Sequence, residues 1–227
     1  LVPEPGYPVY SCGTIFSDGA PYFLPLTEKN NFLPDLEKIP EKVAKKSKIL
    51  FINYPNNPTS ATATLEFYER VVKFAKKYNV IVCSDLAYSE IYFDGKKPPS
   101  FLQVKGAKDV GVEFHSLSKT YQMTGWRLGW LVVPEDCVRK VETFAQNAFI
   151  CPSAPAQYAG IAAFAPETTA VLESRRAEFR RRRDFLVPAL RELGFSIPVT
   201  PEGAFYIYAG IERFAPDSGK FALDVLE

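Results

Sequence analysis

Ser116-Leu117-Ser118-Lys119-Thr120-Tyr121-Gln122-Met123-Thr124-Gly125-Trp126-Arg127 is the stretch on which the reading of this chain turns. It follows Val110 to His115, a β-branched and aromatic run that reads as a buried strand. A second apolar run, Leu128 to Val133, comes directly after it and reads as another core strand. A loop held between two strands is a rigid mount for chemistry. Lys119 is the candidate nucleophile, because a partly desolvated amine gives up its proton more readily and can then form a Schiff base with a carbonyl. Ser116, Ser118 and Arg127 suit a phosphate, offering two hydroxyl donors and a planar guanidinium fork. Taken alone, the loop reads equally well as an ordinary surface turn with a solvated lysine.

Three earlier stretches change that balance. Lys48 to Asn53 is a short apolar run ending in Tyr54-Pro55-Asn56-Asn57-Pro58-Thr59-Ser60, a concentrated turn signal. Leu65 to Tyr78 reads as a helix, with Leu65, Tyr68, Val71, Val72, Ala75 and Tyr78 on one face and Asn79 ending it. Val80 to Cys83 is the next buried strand, with Asp85 just past its end. Strand, helix, strand implies a right-handed parallel unit, and such sheets bind ligands outside the C-terminal ends of their strands. Asn57, Asp85 and Lys119 each follow an expected strand, so all three belong on that one edge. Tyr88, three residues beyond Asp85, reaches the same side if a helical turn starts there. Pro3, Pro5 and Pro8 shape a loop around Gly6 and Tyr7, and Tyr7 can offer an aromatic face to a flat ligand.

Bulk composition narrows the options. The chain has 227 residues and a net charge of +1, so no surface for a polyanion is implied. Cys12, Cys83, Cys137 and Cys151 are scattered, which implies free thiols in a reducing compartment and hence the cytoplasm. The single histidine, His115, leaves no metal-ligand spacing. No apolar run approaches membrane-spanning length. The run Arg175, Arg176, Arg180, Arg181, Arg182, Arg183 is broken by Glu178 and reads as a solvated helix face rather than a nucleic-acid patch.

Further along, a helix is expected after Pro134, another over Ala156 to Ala165, and a long one from Glu167 to Leu193, kinked at Pro188 and ended by Gly194. Ala204 to Ala209 reads as a strand of a second layer, and Phe221 to Glu227 as an unfinished amphipathic helix. Trp126 and Trp130 are expected in the core. The fold class is therefore α/β: a three-layer α/β/α large domain with a mostly parallel sheet over residues 1–165. A connecting helix and the beginning of an α+β small domain follow over 166–227.

A pyridine aldehyde phosphate needs a lysine, an acid at the ring nitrogen, donors for its phenolic oxygen, a phosphate cradle and a flat partner for the ring. The chain supplies Lys119, Asp85, Asn57 with Tyr88, then Ser116, Ser118 and Arg127, and Tyr7. With Pro5-Gly6-Tyr7-Pro8, Asn56-Asn57-Pro58-Thr59, Asp85-Leu86-Ala87-Tyr88 and Ser116-Leu117-Ser118-Lys119 at these spacings, nearly the whole chain resembles a fold-type I, class I/II aminotransferase. The resemblance implies pyridoxal 5'-phosphate in a Schiff base with Lys119, and catalytic roles for Lys119, Asp85 and Tyr88. It also implies a homodimer and transfer of an amino group between an L-amino acid and a 2-oxo acid.

Within the family the first half is most similar to LL-diaminopimelate aminotransferases, through Asn31 to Leu36, Tyr54 to Ser60, Gly106 to Val110 and Glu113 to Gly125. The second half is more similar to the aspartate and alanine branch, through Pro201 to Tyr206. A C–S β-lyase on the same scaffold, or a non-enzymatic relic of the site, would share the same residues. Ser60 stands where many members have glycine. The resemblance further implies that a glycine phosphate loop would precede Leu1 and a carboxylate-binding arginine would follow Glu227. On that expectation 227 residues alone bind cofactor weakly and turn over little.

Overall fold

The computed structural model describes residues 1–227, and its apolar runs form a parallel sheet wrapped by helices. The chain opens with β1 (Val2–Glu4) and α1 (Val9–Phe16), then β2 (Phe23–Pro25), which pairs in parallel with β1. A short helix α2 (Glu41–Lys46) leads into β3 (Ile49–Asn53). Next come α3 (Leu65–Tyr78) and β4 (Ile81–Asp85), which lies parallel to β3. Then β5 (Gly111–Ser116) lies parallel to β4, and after the one-turn helix α4 (Leu117–Thr120), β6 (Gly129–Val132) returns antiparallel along β5. Leu1 donates from its ammonium to the Ile49 carbonyl at 2.7 Å and accepts from the Phe51 N–H at 3.0 Å, so the β1–β2 pair abuts the free edge of β3.

The strand alternation sorts two faces. Leu50, Ile52 and Val82 point to one side and meet Phe67, Tyr68, Val71, Val72 and Ala75 of α3, forming the main core. Phe51 points the other way, and Tyr10 of α1 stacks on it with ring centroids 4.9 Å apart. Helix α3 starts where Thr64 accepts from the Phe67 N–H and stops at Asn79 with φ 55°. These are the capping chemistry and left-handed residue that the pattern calls for.

The second half is helical: α5 (Glu135–Ala148), α6 (Ala154–Ala163), α7 (Pro166–Leu193) and α8 (Ser218–Leu226). Several expectations are corrected here. The run from Leu128 to Val133 is not a buried strand. β6 is an edge strand with little packed on its face: Trp130 is 42% exposed, and Trp126, in the preceding turn, 47%. Strand β4 extends through Asp85 instead of ending at Cys83, and α1 already begins where a loop was expected. Helix α7 starts at Pro166 rather than Glu167 and continues past Pro188, which sits on its exposed side, where water can serve the carbonyl that loses its partner. Residues 204–209 form no strand: Ala204 has φ 58°, and only the flanking Gly203 and Gly210 make single bridges, to Tyr92 and Ser196.

The arginine run is only partly a wet face. Arg181 and Arg182 pair in water with Glu178 of their own helix. Arg176 and Arg183 instead turn inward. Arg176 donates to the Glu90 carbonyl at 3.1 and 3.2 Å and lies over the Tyr92 ring. Arg183, 11% exposed, donates to Asp94 at 2.7 Å and to the Pro201 carbonyl at 2.9 Å. These two side chains fasten α7 to the segment that follows Tyr88. Arg183→Ala should therefore lower the thermal unfolding midpoint clearly, by the ~1–3 kcal/mol expected when partly buried acceptors lose a charged donor. Arg182→Ala should leave the midpoint unmoved. Equal midpoints for the two variants in a thermal melt would contradict this arrangement.

Candidate active site

Parallel register places Asn53 beside Asp85 and Asp85 beside Phe114, so the C-terminal ends of β3, β4 and β5 form one rim. The chain leaves that rim at three points, through the Asn57 turn, the Ala87–Tyr88 turn and α4. A cavity of about 320 Å³ opens there, lined by Tyr7, Asn57, Asp85, Tyr88, Ser116, Ser118, Lys119 and Arg127. All eight residues singled out from the sequence thus converge on one space.

Asp85 is the centre of its polar network. One carboxylate oxygen accepts from the Tyr10 hydroxyl at 2.7 Å and the other from the Ala87 N–H at 3.2 Å. Its backbone carbonyl accepts from the Asn53 amide at 2.9 Å, and the Asn53 oxygen accepts from the Asn57 N–H at 2.8 Å. Burial pushes the Asp85 carboxyl above its ordinary range, while the Tyr10 hydroxyl, the Ala87 N–H and the nearby Lys119 and His115 charges pull it back. Burial, and then the Asp85 charge, also push the Tyr10 phenol well up, so Tyr10 stays a donor.

Ser116 caps α4, its hydroxyl accepting from the Ser118 N–H at 3.1 Å, which leaves its own proton free to donate. Arg127 is aimed by a left-handed backbone (φ 52°) and braced by donating to the Thr124 carbonyl at 2.9 Å. Thr124 in turn donates to the Ser118 carbonyl at 3.0 Å. Tyr7 stands exposed at the mouth, edge-on to Tyr10 at 6.0 Å. Tyr88 is buried, with its hydroxyl 2.5 Å from that of Tyr206.

The sequence reading missed Tyr10, Asn53, His115 and Tyr206. Asn53 carried a legible signal, since a polar residue ending an apolar run, four before Asn57, marks a strand end that does something. Tyr10 and Tyr206 carried none, because their partners are 75 and 118 residues away. His115 is held by Glu113, which is buried and also accepts from Ser100, Ser84 and the Phe101 N–H. The His115 ring stacks on Trp130 at 4.7 Å. A larger cavity of about 500 Å³ lies on the far side of His115 and Ser116, but its Glu90 and Lys97 already neutralise each other at 2.7 Å. The reactive groups converge in the smaller space.

The sheet edge, the lysine loop and this donor set define a class of protein, and comparison with known proteins identifies it. Residues 1–218 match the family described as aminotransferase class I and II, and the chain belongs to that family. The family works with pyridoxal phosphate.

Among curated relatives, the LL-diaminopimelate aminotransferase of Moorella thermoacetica is 48% identical over the whole chain and 57% of its own length. That of Aquifex aeolicus is 52% identical over 92% of the chain and 53% of its own length. The likeness to this branch therefore runs through both halves. Among solved structures, substrate-bound BacF from Bacillus subtilis superposes with a TM-score of 0.89 at 38% identity, covering 99% of this chain and 57% of that one. An aromatic aminotransferase from Pyrococcus horikoshii superposes at 0.92 and 31% identity, covering 100% and 61%. The chain spans little more than half the length of these relatives.

A carboxyl raised by burial carries a stability cost that is absent below the unfolded-state value, develops as the unfolded-state carboxyl ionises while the buried one stays protonated, and is complete once the buried one ionises too. Asp85→Asn should therefore raise the thermal midpoint at neutral pH by a few degrees. The two proteins should converge as pH falls below the ordinary aspartate range. A pH series of melts in which the gap stays constant, or widens in acid, would refute this account of Asp85.

Proposed function

We propose that this chain carries the cofactor-binding part of a pyridoxal-phosphate-dependent aminotransferase. It would move an amino group between an L-amino acid and a 2-oxo acid, with LL-diaminopimelate and 2-oxoglutarate as the pair. One observation supports this above the rest: an amine, a buried acid, an amide, a phenol and a hydroxyl–guanidinium cradle line one cavity. That donor set fits a phosphorylated pyridine aldehyde, which when bound supplies an electron sink for bonds at the substrate α-carbon. The names carried by the curated relatives favour LL-diaminopimelate over the aspartate, alanine and β-lyase alternatives.

The roles follow from chemistry at stated atoms. The Asp85 carboxylate, with one oxygen on Tyr10 and the other on the Ala87 N–H, is oriented to accept an N–H from the ring and to hold that proton in place. Asn57 and Tyr88 donate to the phenolic oxygen. Ser116, Ser118 and Arg127 would hold the phosphate, the guanidinium of Arg127 being braced on the Thr124 carbonyl. Tyr7, at the mouth, covers one ring face and keeps water off it. The Lys119 amine is the attachment point and, when free, carries a proton to and from the substrate α-carbon as general acid and base.

The same proposal includes the remaining organisation. Residues 1–165 form the cofactor domain, and 166–227 form the connecting helix with the start of a second domain. The enzyme works as a homodimer in the cytoplasm, supported by the exposed apolar side chains Phe144, Phe149, Ile150, Tyr158 and Ile161 and by four free thiols. No helix is long and apolar enough to cross a membrane.

Titrating the chain with excess pyridoxal phosphate should turn it yellow, and borohydride should trap the cofactor on Lys119. Lys119→Ala should lose both the colour and the trapped adduct, and any amino-transfer rate should fall at least ~10²-fold. An adduct of undiminished yield in the variant, found by intact mass, would defeat the assignment.

A further inference from the structure

Tyr206 lies outside the cavity lining, yet it makes the shortest polar contact to any of the cavity's named residues. Its hydroxyl is 2.5 Å from that of Tyr88. The two rings meet edge to face at 5.6 Å, and Phe205 adds a second edge contact to Tyr88 at 5.4 Å.

The backbone that delivers Tyr206 is unusual at three places. Gly203 admits no side chain, since a Cβ there would meet Pro55 Cγ at 2.8 Å and the Ile91 carbonyl at 2.9 Å. Ala204 is fully buried in the left-handed region, φ 58°, with its N–H donating to the Ile91 carbonyl at 2.9 Å. Ser60 is also left-handed, φ 56°, and its hydroxyl donates to the Tyr206 carbonyl at 2.8 Å. Both are non-glycine residues in a backbone region that L side chains rarely adopt. The fold sustains both around one tyrosine, whose backbone the Ser60 hydroxyl anchors.

Proton counting gives the arrangement a purpose. A phenol has one proton and two lone pairs. In the Tyr88–Tyr206 pair, one hydroxyl donates and the other accepts. If Tyr88 donates into the cavity and keeps its contact with Tyr206, the proton between the two oxygens has to come from Tyr206. We propose that Tyr206 is a positioning residue for Tyr88. It holds the phenol in place and, when an acceptor oxygen enters the cavity, becomes the donor that lets Tyr88 turn its own proton toward that oxygen. Hydrogen bonds in such a chain strengthen one another. The inference rests on the reading above, in which the acceptor is the phenolic oxygen of pyridoxal phosphate.

The test measures dissociation constants by quenching of intrinsic tryptophan fluorescence, for the 227-residue chain and its Tyr206→Phe, Tyr88→Phe and double variants. The probes are pyridoxal phosphate and its deoxy analogue, which lacks the phenolic oxygen. Tyr206→Phe should weaken pyridoxal phosphate about 2- to 10-fold, the scale of one net neutral hydrogen bond. It should leave the analogue's affinity unchanged and add nothing further once Tyr88 is Phe. Unchanged analogue binding also shows that the variant's site is intact. Equal weakening of both probes, an effect that persists without the Tyr88 hydroxyl, or no effect on either probe would each overturn the inference while leaving the cofactor reading standing. Failure of the unmodified chain to bind either probe would overturn the cofactor reading, and this inference with it.

Discussion

Parallel pairing of three short strands is the constraint from which the rest of this structure follows. With β3, β4 and β5 in register, Asn53, Asp85 and Phe114 stand in a row at one edge, and the segments leaving each strand start within reach of one another. The backbone hydrogen bonds that hold the register also hold the spacing between the amide, the acid and the lysine loop. A slip of one residue would turn every side chain of a strand to the opposite face. It would carry Leu50, Ile52 and Val82 out of the core together with the polar groups of the rim. Core packing against α3 and geometry at the cavity are therefore two consequences of one alignment.

The same edge explains why Asp85 can be buried. A carboxylate taken out of water is costly unless its oxygens are served. Here the strand end supplies the Ala87 N–H, and α1, lying on the other face of the sheet, supplies the Tyr10 hydroxyl. Tyr10 is positioned by its stack on Phe51, a residue of β3 that faces away from the main core. Opposite faces of one strand thus do different work. Leu50 and Ile52 build the interior, while Phe51 seats the phenol that steadies the acid.

Residues 201–206 link the second part of the chain to the first. The Phe93 N–H donates to the Glu202 carbonyl at 2.8 Å, Lys96 pairs with Glu202, and Arg183 reaches the Pro201 carbonyl. Helix α7 is fastened to the segment after Tyr88 through Arg176 and Arg183. An arginine run that would be solvated on an isolated helix becomes, in part, a set of staples, because a neighbouring segment offers carbonyls and aromatic faces.

Local chemistry was enough to read much of this molecule. The apolar runs at 48–53 and 110–115, the amphipathic period of 65–78 and the Asn79 stop are short-range patterns, and they form the expected strands and helix because each is set by its own residues, although Phe114, expected in a buried strand, is 39% exposed. The strand–helix–strand order then implies one shared edge, and that places Asn57, Asp85 and Lys119 together. What the sequence could not determine were contacts between segments far apart in the chain, Tyr10 on Asp85 and Tyr206 on Tyr88, and the exposure of Trp126 and Trp130. It also could not show that Ala204 adopts a left-handed conformation and ends a would-be strand. No local pattern encodes these features. They depend on which surfaces meet when the sheet closes, and only the tertiary arrangement decides that.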